Sequence, residues 1–113
     1  MKRGEVVLVD WQFSDQTGSK LRPAVVVQAD FLNGLIDDTV LVQVTGTKHG
    51  IPGTEVEIDP AQETASGLQH VSYAACANLL TADPSFVYQT LGVLSDSIMQ
   101  QIGDCLKTVL ELP

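Results

Sequence analysis

Short apolar runs alternate with polar and glycine-containing segments along the first 93 residues of the chain. The runs are rich in valine, leucine and isoleucine, which is typical of buried or half-buried strands. Residues 54–59 alternate between polar and apolar positions, so this run predicts a strand with one apolar and one acidic face. The whole pattern predicts strands at residues 6–9, 22–28, 39–45, 54–59, 67–71, 73–80 and 87–93.

The apolar residues near the end of the chain recur with a period that differs from that of the strands. Beyond Ser95 the apolar residues recur every three or four positions, which predicts an amphipathic helix. Ser95 is a favourable N-cap, and Asp96 lies in the first turn, where a negative charge is stabilised. The apolar stripe, which we expect to pack on the strands, is Ile98, Met99, Ile102, Cys105, Leu106, Val109 and Leu110. This arrangement predicts a mostly β fold, a small antiparallel β-barrel with a C-terminal helix, in which residues 1–113 form a single domain.

Two polar loops are predicted beside strand ends. They cover residues 14–21 and 46–53, and a tight turn is predicted at Asn33–Gly34. Pro23 has no amide donor, so it opens the strand after the first loop and pushes Arg22 into an extended conformation. Arg22 is therefore expected at the junction of a loop and a strand.

The charge distribution limits the partners that the protein can bind. A net charge of −8 argues against general nucleic-acid binding through phosphate neutralisation. Five of the six basic residues lie in the first fifty positions, which permits a neutral or positive groove on an acidic body: Lys2, Arg3, Lys20, Arg22 and Lys48. No apolar run approaches the roughly 20 residues that span a bilayer, and no signal peptide is recognisable at Met1–Glu5. We therefore expect a cytoplasmic protein with no membrane contact.

The two cysteines, Cys76 and Cys105, belong to no CxxC pair, so we expect buried thiols in a reducing compartment. Neither the cysteines nor the two histidines, His49 and His70, have the spacing of a metal site, and no metal or other cofactor is expected. Either histidine would suit acid–base chemistry, but no nucleophile motif accompanies them, and a solvated role is the alternative.

One cluster of polar residues is expected at one mouth of the barrel. Arg22 and Thr45 lie at opposite ends of two strands that would be antiparallel neighbours. Arginine suits bidentate phosphate recognition, and a threonine hydroxyl adds a neutral hydrogen bond. The full cluster is Ser19, Lys20, Arg22, Thr45, Thr47 and Lys48. From residue types alone, an anion site and a solvated arginine both remain open.

Two stretches near the N-terminus, Arg3–Asp10 and Gly18–Val27, contain the most informative motifs of the chain. The second of them contains an arginine, a proline and an alanine followed by three valines. Glu55–Ile58, Asn78–Thr81 and the terminal helix follow in an order that resembles the PemK/MazF toxin family. The resemblance covers essentially the whole chain and implies an SH3-like β-barrel.

The resemblance also implies a function. It points to the toxin of a type II toxin–antitoxin pair, an endoribonuclease that cleaves single-stranded RNA such as mRNA at selected sequences. Cleavage would use the 2′-hydroxyl of the RNA, leave a 2′,3′-cyclic phosphate and a 5′-hydroxyl, and need no metal. The implied partners are a second copy in a homodimer, a partly disordered antitoxin in the RNA groove, and operator DNA bound as a toxin–antitoxin complex.

Residue by residue, the resemblance assigns catalytic roles to Arg22 and Thr45. The residues expected to bind RNA are Trp11, Ser19, Lys20, Thr47, Lys48 and Asn78. Trp11 has two interpretations, stacking on a base, worth ~1–3 kcal/mol, or packing in the core or the dimer interface.

The residues around Asn78 are uncharged, although many family members carry an acidic and a basic residue there. Either Arg22 then acts as acid as well as stabiliser, or another residue serves proton transfer, the candidates being Lys20, Lys48 and His49. Two other functions remain open. One is a degenerate barrel that binds antitoxin or operator DNA without cutting. The other is a CcdB-like gyrase poison, which the C-terminus disfavours because Leu110–Pro113 contains no aromatic residue.

Overall fold

The computed structural model describes the backbone of residues 1–12 and 19–113, and the side chains of residues 1–11 and 20–113. In these ranges the strands are β1 (Glu5–Gln12), β2 (Ser19–Val26), β3 (Thr39–Thr45), β4 (Glu55–Ile58), β5 (Ser72–Ala82) and β6 (Val87–Val93). A single helical turn, α1 (Asp30–Asn33), lies between β2 and β3, a 3₁₀ turn at Pro84–Phe86 joins β5 to β6, and the long helix α2 (Asp96–Leu110) follows β6.

The strands form one antiparallel sheet in the order β4-β5-β3-β2-β1-β6. The sheet is not closed, since β4 and β6 are its outer strands, but apolar clusters are buried on both of its faces in a barrel-like arrangement. The predicted mostly antiparallel fold with a C-terminal helix is confirmed.

The first apolar cluster joins α2 to the sheet. Valines of the central strands pack against Met99 and Ile102 of the helix, and Ile102 is fully buried. Ser95 caps this helix as predicted, because its Oγ accepts a hydrogen bond from the amide of Ile98 at 3.3 Å. The period of three to four residues therefore directs one stripe of α2 onto the sheet, as the sequence predicted.

The second apolar cluster lies on the opposite face of the sheet. It contains only strand residues: Val7, Val9, Trp11, Ala24, Val26, Leu41 and Ala82. Most of them are fully buried although α2 lies on the other side. This second core supports the polar residues at the ends of β2 and β3.

Some predicted boundaries are wrong. Residues 67–71 form no strand, because the chain turns at Gly67, whose φ is +74°, and a Cβ there would lie 2.1 Å from the carbonyl oxygen of Leu91. The Asn33–Gly34 turn is the end of α1. In the first predicted loop, residues 19–21 belong to β2, since pairing with β1 satisfies their backbone groups. Arg22 and Pro23 therefore lie inside β2, and the predicted position of Arg22 at a junction of loop and strand is wrong. Residues 14–18 of that loop lie outside the described residues.

The cysteines agree in part with the prediction. Both are free thiols, but only Cys76 is fully buried, and Cys105 is half-buried between α2 and β4. Burial and, to a smaller extent, the neighbouring Cys105 together raise the pKa of Cys76 to about 12. Such a thiol is a poor nucleophile at neutral pH.

In the described part of the chain, no helix has both the length and the apolar character needed to span a bilayer.

Candidate functional site

The sheet face that is turned away from α2 carries cationic side chains beside its apolar cluster. Val9 and Trp11 belong to this face, and the register of β1 and β2 pairs Val9 with Arg22 and Trp11 with Lys20. Directly paired residues of an antiparallel ladder share a face. Arg22 is half-buried, with its Nε shielded from solvent, whereas Lys20 is exposed. Two cations therefore lie near the start of β2.

Arg22 and Thr45 come from neighbouring antiparallel strands. The last pair between β2 and β3 at this end is Ala24 with Gln43. Arg22 and Thr45 each lie two residues beyond that pair, in opposite chain directions, so both side chains lie on the face of Ala24 and Gln43. The two strands are antiparallel neighbours, as predicted, although β2 begins at Ser19 rather than at Arg22.

The hydroxyl of Thr45 is oriented by the loop that follows β3. The amide of Thr47 donates a hydrogen bond of 3.2 Å to Oγ1 of Thr45. Because a hydroxyl is both acceptor and donor, this contact leaves its O–H for a further acceptor. Thr45 is half-buried and Thr47 is exposed, so the hydroxyl of Thr45 lies at the edge of the sheet face.

A carboxylate fixes the same loop at its other end. Oε2 and Oε1 of Glu55 accept hydrogen bonds from the amides of His49 and Gly50, at 3.0 and 2.8 Å. The Nδ1 atom of His49 lies 4.0 Å from Oε2 of Glu55, whose side chain is 10% exposed. The amide of His49, and then that of Gly50, hold the pKa of Glu55 below its ordinary value. Glu55 therefore stays charged at neutral pH and fixes the loop.

An irregularity in β5 positions Asn78. Val42 pairs with Leu79, but the next residue of β3, Gln43, pairs with Ala75, so residues 76–78 have no partner in β3. Bulges of this kind redirect side chains and are frequent beside active sites. Here the Nδ2 atom of Asn78 donates a hydrogen bond of 2.9 Å to Oε1 of Gln43. Asn78 thereby joins the face that carries Arg22 and Thr45.

An acidic residue lies two strands away from Thr45. Thr45 pairs with Tyr73 of β5, and Tyr73 pairs with Glu57 of β4, so the three residues form one row across the sheet. The hydroxyl of Tyr73 donates a hydrogen bond of 3.4 Å to Oε1 of Glu57. The acidic face predicted for this strand is present, since Val56 and Ile58 are buried on the other face.

The structure places most of the predicted site residues together. Lys20, Arg22, Thr45 and Asn78 share one sheet face, and the exposed Thr47 and Lys48 lie on the adjoining loop at residues 46–53. Ser19 is paired with Gln12 through the backbone, and its side chain lies outside the described residues. Trp11 packs in the second cluster and is only 9% exposed.

Sequence reasoning did not single out Gln43, Glu55 or Tyr73. The alternation of residues 54–59 placed Glu55 on the polar face, but no local pattern connects it to the amides of His49 and Gly50. Within the described ranges, no group of three or more His, Cys, Asp or Glu side chains is arranged to hold a metal ion.

Comparison with solved structures supports the fold. An endoribonuclease from a mycobacterial species, solved in complex with its cognate antitoxin, aligns with a TM-score of 0.82 and 26% identity, over 100% of this chain and 97% of that chain. A MazE–MazF structure from Deinococcus radiodurans aligns with a TM-score of 0.76 and 21% identity, over 100% and 98% of the two chains. The Mycobacterium tuberculosis toxin MazF-mt6 has a TM-score of 0.75 at 20% identity, over 95% and 98%. The predicted PemK/MazF-type fold is confirmed.

Sequence comparison identifies the family. No curated protein sequence matches the chain. A family model described as PemK-like, MazF-like toxin of type II toxin–antitoxin system matches residues 2–110, which is nearly the whole chain. This protein therefore belongs to the family of PemK-like, MazF-like toxins of type II toxin–antitoxin systems.

Proposed function

We propose that this protein is the toxin of a toxin–antitoxin pair, and that it inhibits growth by cutting single-stranded RNA, including mRNA, at selected sequences without a metal ion. The observation that carries the proposal is the position of Arg22 and Thr45 on neighbouring antiparallel strands and on one sheet face. An arginine and a hydroxyl beside an exposed lysine suit a phosphodiester. The mycobacterial structure at 26% identity, an endoribonuclease, supports this assignment.

The proposed reaction is an internal transfer of the phosphoryl group. The 2′-oxygen attacks phosphorus, the bond from phosphorus to the 5′-oxygen breaks, and the products are a 2′,3′-cyclic phosphate and a 5′-hydroxyl. One proton leaves the 2′-hydroxyl and one reaches the departing 5′-oxygen. Arg22 and the O–H of Thr45 stabilise the negative charge that grows on the non-bridging oxygens. The requirement for a 2′-hydroxyl restricts cleavage to RNA.

We assign proton transfer to His49. Histidine is the side chain best suited to exchange protons near neutral pH. His49 is exposed on the loop after Thr45, and the carboxylate of Glu55 lies 4.0 Å from its Nδ1 atom. The residues next to Asn78 are uncharged, whereas His49 lines the same pocket as Asn78 and can titrate. Arg22 as general acid is the alternative.

RNA binding is assigned to residues around this centre. The exposed Lys20 and Lys48 neutralise phosphates, and Thr47 and Asn78 supply neutral hydrogen bonds. Ser19, at the start of β2, borders the same groove. Trp11 belongs to this set only if a base stacks on its exposed edge.

The partners follow from the same proposal. An antitoxin would cover the RNA groove. In support, the mycobacterial endoribonuclease was solved in complex with its cognate antitoxin, and the Deinococcus MazF was solved with MazE. We further propose a homodimer of single-domain chains, located in the cytoplasm, and operator DNA as a ligand of the toxin–antitoxin complex.

The test is incubation of the purified protein with a mixed-sequence RNA in EDTA, with mapping of the cut sites. Arg22→Ala should slow cleavage about 1,000-fold or more, and Thr45→Ala roughly 100-fold. Arg3→Ala is the matched control, since Arg3 bonds to the carbonyl of Val27 and to Asp30, away from the site. Neither site variant should change the circular dichroism spectrum.

The result also separates the alternatives. Cuts that persist in Arg22→Ala would remove Arg22 from the mechanism. A folded wild type that cuts nothing but binds an antitoxin peptide would be a degenerate barrel, the function that the uncharged surroundings of Asn78 favour.

A further inference from the structure

A small pocket opens beside Asn78 on the sheet face that carries Thr45. Its volume is about 180 Å³, and it is lined by His49, Ile51, Glu55, Ala75, Ala77 and Asn78, with Thr54 at its edge. Pockets for drug-sized ligands are roughly 300–1,000 Å³. A pocket of this size suits one flat ring system.

Small side chains leave the space for this pocket. Ala75 lies at the centre of a row across three strands, paired with Glu55 on one side and with Gln43 on the other. The short methyl group of Ala75 forms an apolar floor of the pocket, between the longer side chains of Glu55 and Gln43. Ile51, on the loop, provides an apolar wall. Apolar surfaces of this kind favour the face of a nucleobase over a charged group.

The polar edge of the pocket is oriented. The bulge at residues 76–78 brings Asn78 out of the ladder, and the hydrogen bond from its Nδ2 atom to Oε1 of Gln43 fixes the plane of its amide. The bond uses one N–H of Asn78, and its Oδ1 acceptor and second N–H remain for another molecule. An amide that presents a donor and an acceptor side by side is suited to the edge of a base.

The opposite wall is also fixed before any ligand arrives. The loop that carries His49 and Ile51 is held by the two amide hydrogen bonds to Glu55. An ordered wall lowers the entropic cost of binding. Because Gln43 precedes Thr45 by two residues on β3, the row of Gln43, Ala75 and Glu55 lies about 7 Å from Thr45 along the strand direction.

We propose that this pocket accepts one unpaired nucleobase of the RNA next to the cleaved bond, and that Gln43 is the positioning residue that makes Asn78 selective for that base. The inference rests on the proposed ribonuclease function and deepens it. Gln43 itself acts through Asn78, whose amide would rotate freely without this hydrogen bond.

The test compares cut-site profiles on a mixed-sequence RNA in EDTA. Wild type should prefer certain bases at one position beside the cut, and Gln43→Leu should flatten that preference on the order of tenfold. Gln43→Glu retains an acceptor for Asn78, so it should keep the preference even where its added charge slows cutting. The matched control is Gln89→Leu, an exposed glutamine on β6.

Two results would overturn the inference. One is a Gln43→Leu profile identical to wild type at every position around the cut. The other is an unchanged cut-site profile in Asn78→Ala, which replaces Gln43→Leu if that variant is misfolded. Asn78 is exposed, so its replacement should leave the fold intact.

Failure of the proposed function would be visible separately. If wild type cuts no RNA, the pocket is tested by binding of fluorescein-labelled octamers of adenylate, cytidylate and uridylate. Unequal affinities that Gln43→Leu makes equal would support the pocket in a non-cutting protein. Equal affinities for the three octamers in wild type would refute it.

Discussion

Replacement of Trp11 distinguishes a structural from an RNA-binding role for the only tryptophan of the chain. Trp11 lies opposite Lys20 at the edge of the site, yet its side chain is 9% exposed and packs with the second apolar cluster. The burial favours a structural role, whereas its position beside Lys20 would also allow a base to contact its exposed edge. The two roles predict different consequences.

The magnitude follows from the buried area. A tryptophan contributes about 150–250 Å², and burial of nine-tenths of it at about 25 cal/mol per Å² amounts to roughly 3–6 kcal/mol. Measured core Trp→Ala losses are about 3–5 kcal/mol, a large part of a typical stability of about 5–15 kcal/mol. Trp11→Leu refills part of the space and should cost about 2 kcal/mol.

The assay is urea unfolding followed by circular dichroism, because the variants lack tryptophan fluorescence. RNA binding is measured on the same proteins below the unfolding transition. Stacking on a base is worth ~1–3 kcal/mol, which corresponds to roughly 5- to 150-fold in affinity. If Trp11 is structural, Trp11→Leu should bind RNA within about twofold of wild type. Trp11→Phe, which keeps an aromatic ring, is the control.

Two results would refute this reasoning. Unfolding of Trp11→Ala within about 0.5 kcal/mol of wild type would mean that the side chain behaves as a surface residue. A stable Trp11→Leu that loses more than about fivefold in RNA affinity, while Trp11→Phe does not, would establish stacking instead.

Two further predictions concern the loop beside the site and the helix on the opposite face of the sheet. Because the folded-state pKa of Glu55 lies below its ordinary value near 4.5, its contribution to stability is complete above that value and is lost as the pH falls through the folded pKa. The difference in urea midpoint between wild type and Glu55→Gln should therefore be constant above about pH 5.5 and shrink below it, and a constant difference down to pH 3 would contradict the proposed charge. Ser95→Ala should destabilise the protein by about 1 kcal/mol, since Ser95 caps α2 and donates to Glu63 at 2.9 Å, and equal stability of Ser95→Ala and the exposed control Ser97→Ala would contradict the cap.

The sequence was informative wherever one periodicity or one residue type determines the local structure. The long helix was predicted from its period and its N-cap, and most strands from their apolar runs. The sequence wrongly predicts a strand at residues 67–71, because this short mixed pattern does not reveal that the backbone of Gly67 packs against Leu91. The polar residues Ser19 and Lys20 predict a loop, although pairing with β1 makes them part of a strand.

For the candidate site as well, the sequence determined some features and the tertiary structure determined the others. The sequence by itself determined that Arg22 is extended, because Pro23 restricts its neighbour, and that Thr45 ends a strand. It did not determine that Arg22 lies inside β2, since this depends on pairing of residues 19–21 with β1. Only the tertiary structure decided which faces these residues share. The contact of Gln43 with Asn78 joins residues 35 positions apart, and it depends on a bulge that no local propensity determines. Such contacts arise from strand register, which is set by the packing of a whole face rather than by any one residue.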